Sequence, residues 1–231
     1  MKPDIQLHYH CEECGVTAPK LSPYNNALLC HRCIKRERGD YVYPLITNKL
    51  IGLIGYAGSG KSTVASILEN QYSVVRTRFA STLKRMLKSM LISSGVSEEE
   101  SIAMIDGHLK EVPCSVLGGK TPRYALQTLG TEWGRNIIDN DIWVNSTMSR
   151  VNNLINTGAR VVLDDVRFPN EASAVKQHGG ILIKVYRSAS IPTAITHSSE
   201  DLNMEADVLL VNNGSIEELT NQIICLFGYT I

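Results

Sequence analysis

Apolar runs of two kinds alternate along most of the chain, and they predict alternating strands and helices. Residues 50–55 (LIGLIG) form a short, wholly apolar run, as expected of a strand buried in a parallel sheet. Residues 81–92 instead place apolar side chains on one side of a helix and Lys84, Arg85 and Lys88 on the other. From Lys49 onwards the alternation predicts an α/β fold, with a five-stranded parallel sheet flanked by helices.

Capping signals locate several of the helices. Ser97 and Glu100 have the spacing of a capping box, and Thr121 followed by Pro122 is a typical helix start. Asp141 can cap the next helix. Strands are predicted over 50–55, 73–80, 159–165, 181–187 and 206–213, and helices over 61–70, 95–107, 122–138, 142–156, 171–178 and 216–227, besides 81–92.

Residues 55–62 (GYAGSGKS) match the phosphate-binding pattern G-x-x-x-x-G-K-[ST] between the first strand and the first helix. Glycines allow a tight turn whose N–H groups point at a phosphate, and the helix adds its positive end. Lys61 is predicted to reach the β- and γ-phosphates and Ser62 to coordinate Mg²⁺. The predicted cofactor-binding residues for ATP are Gly55, Ala57, Gly58, Ser59, Gly60, Lys61, Ser62 and Thr63.

Two carboxylates end the strand predicted at 159–165. Asp164 and Asp165 come directly after Val161, Val162 and Leu163. Beside a phosphate-binding loop, one of them is predicted to hold Mg²⁺ through water or to orient the acceptor. Asp164 is favoured because it comes first after the apolar run.

Composition limits the class of protein. The 231 residues carry no net charge, so nothing global favours nucleic acid or an anionic membrane as a partner. The sequence has no apolar run of eighteen residues, and the polar start MKPDIQLHYHCEECG is unlike a signal peptide. We therefore expect a cytoplasmic protein without membrane contact.

The first 33 residues hold four of the six cysteines, in the pattern C-x2-C-x15-C-x2-C. This spacing predicts a structural zinc site similar to that of zinc ribbons, with His10 or His31 as alternative ligands. The predicted Zn²⁺ ligands are Cys11, Cys14, Cys30 and Cys33. We predict a module over 1–40, a linker over 41–48 and a catalytic domain over 49–231. The basic run 31–38 (HRCIKRER) suggests docking to a protein or to nucleic acid.

Residues 50–228 resemble the deoxynucleoside monophosphate kinases of bacteriophages. The most specific matching stretches are 121–135 (TPRYALQTLGTEWGR) and 164–171 (DDVRFPNE). Further matches are Phe79-Ala80 with Leu83-Lys84, Asp141-x-Trp143-Val144, 197–200 and 211–219. The resemblance implies a P-loop kinase that phosphorylates a deoxynucleoside monophosphate with ATP.

The resemblance also implies roles for residues outside the loop. Arg123, Gln127, Thr131 and Arg135 recur every four positions and would form one polar stripe that grips a monophosphate and reads its base. Arg167 would hold the acceptor phosphate, and Arg187 and Asn213 would lie near ATP. The predicted catalytic residues are Lys61, Asp164, Arg167, Arg123 and Arg135, and the predicted substrate-binding residues are Arg123, Gln127, Thr131, Arg167, Phe79 and Lys84.

Two segments of the catalytic domain are expected to serve the acceptor and to close the site. Residues 81–120 are predicted to be an acceptor-binding insertion. Residues 188–205 correspond to a lid, although they contain no lysine or arginine. Two other functions fit the phosphate loop: an ATPase stimulated by nucleic acid, and a P-loop kinase with another acceptor such as dephospho-coenzyme A.

Overall fold

The structure is a computed structural model that describes residues 46–190 and 204–228, together with the backbone of four short strands before them. Those four strands form two antiparallel hairpins. β1 (Tyr9–His10) pairs with β2 (Thr17–Ala18), and β3 (Ser22–Tyr24) pairs with β4 (Ala27–Leu29).

The chain divides into two compact units. The first unit contains Met1–Arg76 and Thr157–Ile231, and the second contains residues 77–156. The predicted acceptor-binding insertion over 81–120 falls within the second unit.

Strands and helices alternate as the sequence pattern predicts. The strands of the main sheet are β5 (Leu50–Ile54), β6 (Val75–Thr77), β7 (Val161–Leu163), β8 (Ile181–Tyr186) and β9 (Val208–Val211). In the residues that the structure describes, the α-helices are α1 (Lys61–Tyr72), α2 (Ser81–Ser93), α3 (Glu98–Asp106), α4 (Pro122–Thr128), α5 (Ile142–Asn156), α6 (Pro169–Gln177) and α7 (Ile216–Phe227).

The main sheet has the strand order β6-β7-β5-β8-β9. β5 pairs in parallel with β7 and β8, so that Gly52 lies opposite Leu163 on one side and Leu182 on the other. β8 pairs in parallel with β9. The predicted five-stranded parallel sheet flanked by helices is confirmed.

The sheet is buried because its strands carry apolar side chains in near-continuous runs. All five residues of β5 and all three of β7 are buried. Leu68 of α1 and Ile223 of α7 pack into the same core as Ile51, Leu53 and Ile183. Helices packed against the sheet therefore stabilise the first unit. The loops that follow the strands are not needed for this core and can form the candidate site.

The strands are shorter than the apolar patterns predict. The strand expected over 73–80 includes only Val75–Thr77, and the strand expected over 159–165 ends at Leu163.

The helix predicted over 122–138 is only partly α-helical. Thr121 caps its start, since its hydroxyl oxygen accepts a hydrogen bond from Tyr124 N at 3.1 Å. After Thr128 the chain continues as a π-helix, Leu129–Ile138. The expectation of one α-helix to residue 138 is therefore wrong in its second half.

Trp143 explains the change of helix type. Its Nε1 donates to Gly130 O at 2.8 Å, which introduces an outside donor into the hydrogen-bond ladder of the helix. A Cβ atom at Gly134 would lie 2.6 Å from the indole ring. Gly134 thus makes room for the indole, and the wider turn of the π-helix ends the four-residue spacing that the predicted polar stripe needs after Gln127.

Candidate nucleotide site

The phosphate loop lies between β5 and α1. Gly60 has φ +103°, a left-handed conformation that favours glycine. A Cβ atom at Gly55 would lie 2.5 Å from both Ser59 Oγ and Val185 O, so close packing also requires glycine there. The loop backbone is therefore bent as phosphate binding requires, and α1 begins at Lys61 as predicted.

Lys61 is held against the loop. Its Nζ donates to Gly55 O at 2.6 Å and to Tyr56 O at 2.9 Å. Burial, and after it the charge of Arg167, lower the pKa of Lys61 to about 8, and the charges of Asp164 and Asp165 oppose this shift. The fold therefore brings the predicted carboxylates and Arg167 within electrostatic range of the loop lysine.

Asp164 has a partner that the sequence did not suggest. Arg76, in β6, donates from Nε to Asp164 Oδ2 at 2.8 Å and contacts the same oxygen through Nη2. Asp164 is buried, whereas Asp165 is half-buried. Arg76 thus neutralises and orients a carboxylate that would otherwise be costly to bury.

Glu171 shapes the loop between β7 and α6. Its Oε2 accepts hydrogen bonds from Arg167 N at 2.8 Å and from Phe168 N at 3.2 Å, and the residue is buried. The carboxylate satisfies backbone donors at the start of α6, as capping requires. The backbone of this loop is therefore fixed by Glu171, while the side chain of Arg167 is exposed.

Two asparagines follow β9. Asn213, predicted to lie near ATP, accepts at Oδ1 from Ser188 N at 2.8 Å and from Ser188 Oγ at 3.1 Å. Asn212, the residue before it, donates from Nδ2 to Ser59 O in the phosphate loop at 2.8 Å, a contact that the sequence did not indicate. Arg187 is exposed at the end of β8. The contact of Arg187 or Asn213 with ATP stays a prediction.

A cavity of about 390 Å³ lies within the second unit. Five cationic side chains line it, together with Ser81, Ile102, Ile105 and Asp106. The five cations are Arg78, Lys84, Arg85, Lys88 and Arg150. Of these, only Lys84 was predicted to bind substrate. Lys84, Arg85 and Lys88 were identified as the polar face of α2, whereas no local pattern connects Arg150 to them.

The cavity cations are held to different degrees. Lys84 pairs with Asp106, and Lys88 Nζ lies 2.8 Å from Glu98 Oε1. Arg150 donates to Thr77 Oγ1. In the part of the chain that the structure describes, Arg85 has no ion-pair partner. An anion entering the cavity would therefore find an exposed guanidinium and several oriented cations.

The remaining predicted substrate residues lie elsewhere in the second unit. Arg123 is exposed and forms an ion pair with Glu111, and Gln127 is also exposed. Arg135 donates from Nη1 to Asn140 O at 3.1 Å, and Thr131 lies half-buried on the π-helix. Phe79 is buried among the core side chains. None of these five residues lines the cavity, so their contact with substrate stays a prediction.

Several predictions concern residues beyond the described part of the chain. Cys11, Cys14, Cys30 and Cys33 lie outside it, as do 191–203 of the predicted lid and 41–45 of the predicted linker. Within the described ranges, no group of three or more His, Cys, Asp or Glu residues is placed to hold a metal ion. Among those residues, too, no helix has the length and apolar character needed to cross a membrane.

The parallel sheet, the glycine loop after its central strand and the half-buried lysine define a P-loop nucleotide-binding protein. The sequence model of the family described as "Deoxynucleotide monophosphate kinase" matches residues 96–223. A protein of Acanthamoeba polyphaga mimivirus, named "Putative deoxynucleotide monophosphate kinase", is 37% identical over 192 residues, which are 76% of this chain and 94% of that protein. The chain therefore belongs to the deoxynucleotide monophosphate kinase family, and it is a kinase that phosphorylates a deoxynucleoside monophosphate.

A solved structure is also similar in part. The crystal structure of TT1252 from Thermus thermophilus shares 18% identity, covers 78% of this chain and 95% of that chain, and has a TM-score of 0.38. A likeness of this size supports no statement about activity.

Proposed function

We propose that the first unit binds ATP on its phosphate loop and that the second unit binds the deoxynucleoside monophosphate in its cationic cavity. The observation that carries this proposal is the basic cavity itself, lined by five cations and a single carboxylate. A nucleoside monophosphate is a small dianion that needs such charge, whereas ATP has its own loop. The products would be ADP and the deoxynucleoside diphosphate.

The cavity lining suits both parts of a nucleotide. Guanidinium groups such as those of Arg78, Arg85 and Arg150 can bind phosphate oxygens in pairs. Ile102 and Ile105 supply apolar surface against which a base can pack. In this assignment α2, α3 and α5 bind the acceptor most strongly, and the stripe that begins at Arg123 contributes less.

The chemistry requires little beyond position and charge. An oxygen of the acceptor phosphate forms a bond to the γ-phosphorus of ATP, and the bond from that phosphorus to the β–γ bridging oxygen breaks. The attacking oxygen is already anionic, so no strong general base is needed. Lys61 would exchange the carbonyls of Gly55 and Tyr56 for phosphate oxygens, and Arg167 would balance charge on the acceptor phosphate.

The donor set around the loop fits Mg²⁺, which prefers oxygen ligands. Ser62 offers an exposed hydroxyl on the first turn of α1, and Asp164 and Asp165 lie close enough to raise the pKa of Lys61. We propose Ser62 and Asp164 as the residues that hold the ion, directly or through water. When bound, the ion would neutralise charge on the β- and γ-phosphates.

An acceptor panel tests the proposed function. Purified protein with ATP and Mg²⁺ is given each deoxynucleoside and ribonucleoside monophosphate in turn, and ADP release is measured. We expect release with one or more deoxynucleoside monophosphates, and product analysis should show the diphosphate. ADP release that requires DNA rather than a nucleoside monophosphate would contradict the proposal. Phosphorylation of dephospho-coenzyme A alone would contradict it as well.

We propose that the N-terminal module binds one structural zinc ion through Cys11, Cys14, Cys30 and Cys33. Its support is the spacing of the four cysteines and the positions of two strand ends: β1 ends one residue before Cys11, and β4 ends one residue before Cys30. A short segment buries little core, so bound metal would supply stability. Four thiolates fill the coordination sphere, which leaves no position for a reacting ligand.

Metal analysis tests the zinc site. We expect one zinc ion per chain, lost in the double variant Cys11→Ser with Cys14→Ser, with little loss of phosphoryl transfer. Wild-type protein without bound zinc would contradict the proposed site. Loss of all kinase activity in a folded protein lacking residues 1–40 would show that the module is not independent of catalysis.

The basic run 31–38 leads us to propose that the module docks to a protein or to nucleic acid. Zinc-binding thiolates also favour a reducing compartment, so we propose a cytoplasmic location.

A further inference from the structure

Asn212 reaches from the end of β9 into the phosphate loop. Its Nδ2 donates to the carbonyl oxygen of Ser59 at 2.8 Å. Ser59 is buried, and Asn212 is half-buried. This amide is therefore a direct link between the strand at one edge of the sheet and the loop that follows the central strand.

The base of this link is itself fixed. Asn212 N donates to Tyr186 O at 2.7 Å, which continues the pairing of β9 with β8. The residue before it is held from both sides by the buried Gln222: Val211 N donates to Gln222 Oε1 at 3.1 Å, and Gln222 Nε2 donates to Val211 O at 2.8 Å. The Asn212 side chain thus starts from a backbone that cannot easily shift.

The geometry of the peptide bond gives the link a consequence. The bond between Ser59 and Gly60 is trans and planar, so its C=O and N–H groups point in opposite directions. A hydrogen bond that fixes Ser59 O also fixes the direction of Gly60 N–H. In a phosphate loop, successive N–H groups are the donors that hold the anion.

Gly60 also makes room for the asparagine. A Cβ atom at Gly60 would overlap Asn212 Nδ2 and lie 3.3 Å from its Cγ. The glycine before the lysine of the motif is therefore required twice in this protein, once for its left-handed φ of +103° and once for the close approach of the amide.

From these contacts we infer that Asn212 is a positioning residue for ATP: it orients the Ser59–Gly60 peptide so that Gly60 N–H donates to the nucleotide phosphates. The inference rests on the proposed binding of ATP by the loop. It assigns Asn212 no contact with the acceptor.

Binding of MgADP, measured by calorimetry on the full chain, tests the inference without any turnover. We expect Asn212→Ala to weaken MgADP binding about tenfold, because a buried carbonyl loses its donor and one phosphate donor loses its orientation. Asn212→Asp keeps the volume but offers no N–H at neutral pH, and it places a negative charge near the phosphates. We therefore expect Asn212→Asp to lose more MgADP affinity than Asn212→Ala.

Asn48→Ala is the matched control. Asn48 Nδ2 donates to Gly179 O, also at 2.8 Å, in the first unit but away from the loop. If loss of such an amide bond acted only on stability, both alanine variants would lower Tm and neither would change MgADP affinity. We expect only the Asn212 variants to raise KM for ATP, with KM for the acceptor unchanged.

Three results would overturn the inference: unchanged MgADP affinity in folded Asn212→Ala and Asn212→Asp, an equal loss in Asn48→Ala, or an equal rise in KM for both substrates. The binding measurement needs no acceptor. A wild-type protein that binds MgADP but phosphorylates no deoxynucleoside monophosphate would contradict the proposed function and still leave this test valid.

Discussion

The two units carry proposed phosphate-binding features of different kinds. In the first unit, the loop over 55–62 offers backbone N–H groups, glycines and one half-buried lysine. In the second unit, the cavity relies on long cationic side chains from α2, α5 and the segment before α2. Backbone N–H groups bind one ligand group of constant shape, the nucleotide phosphate. Flexible side chains can adapt to acceptors of different shape.

This contrast predicts different sensitivity to substitution. A backbone site should fail when one glycine gains a side chain and should be indifferent to neighbouring exposed side chains. A side-chain site should weaken in steps, and a conservative change of the same charge should restore much of the function. The variants below test the contrast in order of decreasing effect.

Lys61→Met should reduce kcat at least about 10²-fold, because it removes the loop cation that we propose contacts the transferred phosphate. Steady-state kinetics with saturating ATP would measure the loss, and circular dichroism would check the fold. Near-normal turnover in a folded protein would mean that the loop is not the ATP site.

Gly60→Ala should raise KM for ATP by roughly tenfold or more, since the new Cβ meets the Asn212 amide and a left-handed φ is unfavourable for alanine. Gly95→Ala is a control for backbone strain, because Gly95 also has a positive φ and a Cβ there would have open space around it. An equal change of ATP affinity in both variants would contradict the specific role of Gly60.

Arg85→Ala should raise KM for the acceptor by about tenfold and leave KM for ATP nearly unchanged, because it removes an exposed cation of the cavity. Arg85→Lys should retain most of the affinity, as expected of recognition by side-chain charge. Initial rates over a range of acceptor concentrations would measure both. A rise in KM for ATP alone would mean that the ATP site and the acceptor site have been assigned the wrong way round.

Arg167→Ala and Arg123→Ala should each raise KM for the acceptor more than KM for ATP, by roughly threefold. Both side chains are exposed, and Arg123 already pairs with Glu111, so each loss is expected to be small. The same kinetic assay compares them with Arg85→Ala. A larger effect from Arg123 than from Arg85 would move the acceptor from the cavity to α4.

Local patterns were sufficient for the elements and for the first phosphate site. The loop motif identified Lys61 because its chemistry depends on neighbours in the chain, and α7 begins and ends at the predicted residues 216 and 227. Asp164 was identified because it comes first after the apolar run of a predicted strand, and Arg167 was identified through the resemblance to phage kinases. Their proximity to Lys61 follows from the pairing of β5 with β7.

Contacts between distant segments were beyond sequence reasoning. Arg76 reaches Asp164 across 88 positions of the chain, and Asn212 reaches Ser59 across 153. Likewise, nothing in the local pattern distinguishes Arg150 from other arginines on helix surfaces. The π-helix was missed because its cause, the Trp143 indole between Gly130 and Gly134, lies in the next helix.

The sequence by itself determined the class of fold, the phosphate loop and the order of strands and helices, because hydrophobic periodicity and glycine-dependent turns act over a few residues. The tertiary structure alone decided which carboxylate is held by Arg76, which amide contacts the loop and which cations share a cavity. Those outcomes depend on strand pairing and helix packing, which bring together side chains far apart along the chain.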